Sequence, residues 1–311
     1  MKTHFNGGKN MQNILKQITR TSLYALCLMI IVFPAYAQEA PQLNVVNVTE
    51  NITVIEGMSN TVILTGKDGI FMIDTQAPEL IDPVITKIAE ISSHPIRFIA
   101  NTHYHFDHAG GNEKAANTGA VIIAHENVRK RMSTEQRMDT LNMTTPPAST
   151  AALPAVTFSK DVTFYINGEE ARVFHIGAGH TDGDAIVHFR KANVIHLGDL
   201  YFNGLYPYIG IEAGGSINSM IQVGNTVLGM IDDATRIIPG HGPIAGKAEY
   251  AEYLEMLTGV RDAIRRQIDA GKSLKEVIAI KPLQAFDAKW GKGLFTSDQF
   301  AELVYTDLSR K

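Results

Sequence analysis

The chain is nearly devoid of cysteine and tryptophan, with one of each in 311 residues. The single cysteine, Cys27, sits in an apolar stretch near the N-terminus. Beyond it no disulfide can form, and no thiolate can act as nucleophile or metal ligand. Positive charge is also short: 28 basic residues face 32 acidic ones, a formal net charge of −4. A surface built for sequence-independent nucleic-acid binding needs the opposite balance, so no nucleic-acid partner is expected. Long apolar runs are scarce as well. "LYALCLMIIVF", Leu23 to Phe33, is well short of the roughly 20 residues that span a bilayer as a helix. It follows Lys2, Lys9, Lys16 and Arg20 with no acidic residue between, and it runs into "PAYAQEA". A basic lead, a short greasy core and a small-x-small end read as a secretory signal over residues 1–37, cleaved after Ala37, with Met11 an adequate alternative start. The expectation is a periplasmic or secreted protein, residues 38–311, without cysteine, more acidic than the whole chain and with no stable membrane anchor after cleavage.

What is present after that point is β-type patterning. "NITVIEG", "NTVILTG" and "GIFMIDT" (residues 51–57, 60–66 and 69–75) are rich in Val, Ile, Thr and Phe and end in turn residues, which predicts an antiparallel meander. Residues 77–93 carry Leu80, Ile81, Val84, Ile85, Ile88 and Ile91 at the spacing of an amphipathic helix. Strands are predicted at 96–100 and 119–126, a solvated helix at "NVRKRMSTEQRM", and a long surface loop at 139–155, where periodicity is lost and three prolines occur. β-type segments then resume in "DVTFYING", "ARVFHIGAGHT", "DAIVHFR" and "NVIHLGDLYF", before a helix near 216–231, a short strand in "TRIIPGHGPI" and a helical tail from Lys247. Two successive blocks, each with strands first and helices after, fit an α/β fold in which two sheets pack face to face with helices outside, a four-layer αββα sandwich.

The chemistry concentrates in "NTHYHFDHAGG", residues 101–111, which places His103, His105, Asp107 and His108 within six positions. On an extended strand end, alternate residues share a side, so His103, His105 and Asp107 can converge while His108 points elsewhere. Such a cluster can feed two adjacent metals. Three further ligand-type residues follow short apolar strands beside glycines: His180 in "GAGHTDGD", Asp199 in "VIHLGDL" and His241 in "IIPGHGP". Five histidines and two carboxylates suffice for two catalytic metal ions, at about three protein ligands each with Asp199 bridging.

In order and spacing these motifs (HxHxDH, GHT, GD, GHG) resemble those of the metallo-β-lactamase superfamily over roughly Val45 to Glu255. The resemblance implies an αββα sandwich with the site on one edge. His103, His105 and His180 would hold the first Zn²⁺, and Asp107, His108 and His241 the second; iron or manganese could replace zinc. A metal-bound hydroxide, oriented by Asp107 as the catalytic carboxylate, would attack the carbonyl carbon of a small-molecule amide, ester, thioester or lactone. Two zinc ions, two aspartates and a hydroxide leave a residual positive centre, suited to an anionic substrate or an oxyanion.

Within that family, secreted lactamases of the best-known subclass resemble this chain less closely. They carry cysteine where Asp199 stands, and a lysine that grips the lactam carboxylate where Phe202 stands. Aspartate at the bridging position resembles the glyoxalase II, lactonase and general hydrolase branches; the lactonase tyrosine falls one residue from Tyr201. A genuine β-lactamase is the alternative, followed by a di-iron oxidoreductase or a non-catalytic binding module on the same fold. The other histidines have plainer readings. His94 is a surface turn residue, His125 a cap, and His175, His188 and His196 are packing residues, with His196 out of phase with Asp199. Asp182 and Asp184 fit turn or cap roles at least as well as support of His180. Tyr201, Phe202, Tyr206 and Tyr208 could line a pocket or pack their own loop, and Met58 could tip a hairpin over the site or occupy an ordinary turn.

Overall fold

A computed structural model describes Met1 and residues 43–310. The signal expected over residues 1–37 lies outside the described segment. The chain enters the fold through four consecutive antiparallel strands, β1 (Asn44–Asn47), β2 (Ile52–Glu56), β3 (Asn60–Leu64) and β4 (Ile70–Ile73). Helix α1 (Ile81–Ile91) then crosses back so that β5 (Ile96–Ala100) runs parallel to β4. Two short helices, α2 (Phe106–Ala109) and α3 (Asn112–Ala116), lead to β6 (Val121–His125). Helix α4 (Glu126–Met132) and a small hairpin, β7 (Gln136–Met138) and β8 (Met143–Thr145), precede β9 (Val156–Phe158), which closes a seven-stranded sheet in the order β1-β2-β3-β4-β5-β6-β9.

The second sheet, in simple order, holds β10 (Asp161–Ile166), β11 (Glu169–Phe174), β12 (Ile186–Phe189), β13 (Val194–His196) and β14 (Arg236–Ile238). Helix α5 (Ile217–Leu228) makes the crossover that sets β14 parallel to β13. Four helices complete the chain: α6 (Lys247–Asp269), α7 (Leu274–Ala279), α8 (Asp287–Trp290) and α9 (Ser297–Ser309).

Strand periodicity explains the four layers. Val62, Leu64, Phe71 and Ile73 face the second sheet and pack with Val173, Val187, Phe189, Val194 and Ile238. Their neighbours Ile63, Ile70 and Met72 point the other way, against Ile81, Val84 and Ile88 of α1. Likewise Ile195 and Ile237 turn outward to the α5 and α6 layer that includes Val223 and Leu257. Strands buried on both faces read as unbroken apolar runs, and alternation assigns each residue to one of two cores. The αββα expectation therefore holds.

Two expectations change. Residues 139–155 are not wholly a loop: Met143–Thr145 pairs back on Gln136–Met138 through a turn in which Asn142 takes φ +50°. Strands of three residues are too short to show an alternating pattern. Helix α4 is also less solvated than its charges suggest, since it buries Val128 and Met132.

The two sheets meet through Phe71 and Phe164, whose ring centroids lie 4.7 Å apart. Phe71→Ala should cost about 3–5 kcal/mol of unfolding free energy in a urea titration. A loss under about 1 kcal/mol would mean that this contact does not join the sheets.

Candidate metal centre

The ligand-type residues gather on one rim, most of them just past the ends of parallel strands, with His180 supplied by the loop between the antiparallel β11 and β12. β4 ends at Asp74, β5 runs into His103 and α2, β13 into Asp199, and β14 into His241. The residues fall into two groups with one ligand atom each in mutual reach: His103, His105, His180 and Asp199, and then Asp107, His108 and His241. All seven sequence-predicted residues are therefore brought together, with Asp199 grouped beside His103, His105 and His180. Asp199 stands between the groups. Its Oδ2 lies 3.6 Å from His103 Nε2 and 3.3 Å from His180 Nε2, while its Oδ1 lies 3.0 Å from His108 Nε2 and 3.4 Å from His241 Nε2. Asp107 Oδ2 completes the second group at 3.2 Å from His241 Nε2 and 3.5 Å from His108 Nε2.

The outward nitrogens of four histidines are each held by an oxygen. His103 Nδ1 bonds Thr102 Oγ1 (3.0 Å), His108 Nδ1 bonds Asp74 Oδ2 (2.7 Å), His180 Nδ1 bonds the Tyr208 carbonyl (2.9 Å) and His241 Nδ1 bonds the Met58 carbonyl (2.9 Å). An oxygen that accepts from Nδ1–H fixes the tautomer and leaves the Nε2 lone pair facing the centre, the arrangement that supports metal-bound histidine. At the centre, His105 Nδ1 and His180 Nε2 lie 2.8 Å apart. Buried His103 Nε2 and His105 Nε2 lack a hydrogen-bond partner among the described residues. Buried polar atoms without partners are rare, and two of them sit here on candidate ligand side chains; His196 Nε2 and the hydroxyls of Tyr201, Tyr250 and Tyr253 are others. The donor set fits divalent metal: imidazole and carboxylate, three or four groups to a site, suit zinc and do not exclude iron or manganese.

Asp74 was not singled out from sequence, yet it organises the floor of the site. Its Oδ1 accepts from Thr102 N (2.8 Å), and its Oδ2 from Thr102 Oγ1 (2.6 Å) and His108 Nδ1. One carboxylate thus holds His108 directly and His103 through Thr102. Asp74 itself has φ +59°, a left-handed conformation that aspartate tolerates and that points its side chain under the cluster. The signal available was the polar end of the apolar strand "IFMID", the same pattern that marks the other ligand positions.

The glycines around Asp199 and His241 have steric reasons. A Cβ on Gly240 would lie 2.0 Å from Asp199 Oδ1, so only glycine lets the β14 loop pass the bridging carboxylate. Gly198, with φ +51°, turns the chain so that Asp199 enters the site from a short 3₁₀ turn. That turn also corrects the reading of His196. Strand alternation stops at His196, so the phase argument against Asp199 fails. The His196 ring lies on the site floor, with Nδ1 on the Ile238 carbonyl (3.0 Å) and Nε2 3.8 Å from Asp74. Asp182 and Asp184 take the plainer roles: Asp182 pairs with Arg131, and Asp184 accepts from Thr181 N and Oγ1. His125 caps α4 by accepting from Asn127 N. Tyr201 is packed against Tyr250 and Tyr253, away from the pocket, whereas Phe202, Tyr206 and Tyr208 line it. Met58 does more than tip a turn. Its carbonyl holds His241, and the turn is clamped by Gln76, which accepts from Ser59 N and donates to the Ser59 carbonyl.

A sequence model of the family described as the metallo-beta-lactamase superfamily matches residues 54–252. The chain belongs to that superfamily. Its likeness to curated members is distant. It is 30% identical over 170 residues to a hydroxyacylglutathione hydrolase of Synechococcus sp., covering 53% of this chain and 56% of that protein's length. It is 24% identical over 207 residues to the metallo-beta-lactamase IND-1 of Chryseobacterium indologenes, covering 65% and 79%. Among solved structures, a metallo-beta-lactamase from Pontibacter korlensis superposes with TM-score 0.58 at 22% identity, over 70% of this chain and 99% of that one. A sec-alkylsulfatase from Pseudomonas sp. gives 0.64 at 15% identity, over 85% and 50%. At these identities the structural matches establish the fold.

The two groups differ in charge. Burial, then the neighbouring histidine His108, holds His103 well below its ordinary pKa; burial and His180 push His105 down to about 3. Both are neutral at pH 7. In the second group burial is outweighed by the carboxylates: Asp199 and Asp107 raise His108, and they bring His241 up to about 9. Metal entering the second group must therefore displace protons that His103 and His105 do not hold. Second-site affinity should rise by about tenfold per pH unit for each proton released as pH climbs from 6 toward 9, while first-site affinity stays nearly level. Competition titration with a chromophoric chelator checks this, and equal slopes at both sites would refute it. Asp74→Asn should weaken metal binding by about 10- to 100-fold in the same titration, chiefly at the His108 site.

Proposed function

We propose that this chain is an exported two-metal hydrolase that uses water to cleave a small carbonyl compound, an ester, thioester, lactone or amide. The observation that carries the reading is Asp199, which turns one oxygen to each histidine group and so joins two ligand sets into one centre. Export is supported by the basic lead and short apolar core before Ala37. His103, His105, His180 and Asp199 would hold one ion, and Asp107, His108, His241 and Asp199 the other. Zinc bound in such a centre lowers the pKa of water to about 7 and polarises a carbonyl oxygen.

The protein's own residues define the rest. Among the described residues no serine, threonine, cysteine or lysine lines the pocket above the centre, which favours water as the nucleophile. Asp107 stands at the pocket floor with 13% of its side chain exposed. Despite burial, His108 and His241 bring its pKa down to about 2, so it is a carboxylate throughout the neutral range. It can accept a hydrogen bond from the attacking water and orient it, the role expected of it from the sequence. Phe202 stacks on His241, with centroids 4.9 Å apart and planes at 14°. An aromatic ring thus stands where a lactamase lysine would grip a carboxylate, which favours other carbonyl substrates over β-lactams.

The reading is tested with a panel of activated esters, thioesters, lactones and a chromogenic β-lactam, before and after chelation. Turnover of at least one ester, thioester or lactone should vanish with chelator and return with zinc. His105→Ala should lower kcat by about a thousandfold or more while the far-ultraviolet circular dichroism spectrum stays native. No metal-dependent turnover on any member, or full activity in His105→Ala, would overturn the proposal.

A further inference from the structure

The pocket that opens onto the centre has a volume of about 460 Å³ and a wall of unusual uniformity. Apart from His105, Asp107, Asp199 and His241 at its floor, it is apolar or aromatic, and among the described residues no arginine or lysine lines it. The two tyrosines present their rings, because both hydroxyls are committed elsewhere. Tyr206 donates to Asp287 Oδ1 (3.1 Å), and Tyr208 to Glu212 Oε2 (3.2 Å). The rim is apolar too. Met58, Met143 and Leu294 are 43%, 37% and 63% exposed, and they come from three separate parts of the chain: the β2–β3 turn, the β7–β8 hairpin and the segment before α9. Exposed apolar side chains gathered around one opening mark a binding surface, and methionine adapts its shape to varied apolar groups.

We propose that this pocket selects uncharged carbonyl compounds bearing an apolar chain, such as acyl esters or lactones. The assignment rests on the hydrolase reading for the reaction and on the wall for the substrate class. The positive charge of the site lies only where the carbonyl reacts, so an anionic group elsewhere on the substrate would be buried without a partner. The wall also offers no free hydroxyl or ammonium group to protonate a departing atom. In the reaction water oxygen bonds to the acyl carbon and the carbon–oxygen bond to the leaving group breaks. The products are a carboxylic acid and an alcohol, with the protons of water shared between them. A leaving group stable as an anion, or a strained ring, suits a wall without an acid better than a simple amide does.

Two measurements on the mature chain separate this assignment from the hydrolase reading. In the first, calorimetry follows binding of 2-butanone, 2-decanone and 9-oxodecanoate, none of which can be hydrolysed, to the zinc-loaded and chelator-treated protein. Affinity should rise by about fourfold per methylene until the pocket fills, and 2-decanone should bind at least about tenfold more tightly than its carboxylate counterpart. In the second, kcat/KM is measured along 4-nitrophenyl esters from acetate to decanoate and should climb in the same way. Leu294→Lys or Met143→Lys, at exposed positions that tolerate charge, should narrow the gap between 2-decanone and 9-oxodecanoate by about tenfold. Binding that ignores chain length, or that favours the carboxylate in the unaltered protein, would overturn the substrate class even if esters are cleaved. Chain-length-dependent binding without any ester turnover would uphold the pocket assignment and reject the hydrolase reading.

Discussion

A single buried carboxylate, Asp199, is the constraint on which the site depends. Its two oxygens face two histidine groups at 3.0–3.6 Å, and burial there is tolerable only with positive charge close by. In the absence of metal that charge comes from protons on His108 and His241, which hold Asp199 well below the usual carboxylate range against the effect of burial. Divalent ions would satisfy the same carboxylate without those protons.

The surrounding fold serves this placement. The carboxylate enters from a 3₁₀ turn at the end of β13, and it fits because Gly240 on the neighbouring β14 loop has no side chain to displace it. Asp74, at the end of β4 in the other sheet, fixes His108 and, through Thr102, His103. The centre therefore bridges the two sheets, and the apolar contacts between those sheets hold its two halves in register. Buried hydrogen bonds of this kind hold the candidate ligand side chains in place.

Much of this was legible in the sequence, for physical reasons. Ligand-type residues stood out in two ways: His103, His105, Asp107 and His108 crowd together after an apolar strand, and His180, Asp199 and His241 follow apolar segments beside glycines. The four layers followed from two successive blocks in which strands come first and helices after, and strands with no polar face account for them physically. Asp74 was missed because a lone aspartate after a strand has many ordinary uses, and only the fold shows Thr102 and His108 converging on it. His196 was misplaced because strand periodicity was extended past the residue where the strand ends. The β7–β8 hairpin was hidden by its brevity, and with it went the contribution of Met138 and Met143 to the pocket wall. Contacts made across the fold, such as the Met58 carbonyl on His241, leave no local trace at all.

The central claim, two metal positions sharing one carboxylate, is tested most directly by anomalous diffraction at the zinc edge from crystals of the zinc-loaded protein. Two peaks per chain are expected, one among His103, His105 and His180 and one among Asp107, His108 and His241, with Asp199 between them. A single peak, or two peaks without Asp199 between them, would contradict it.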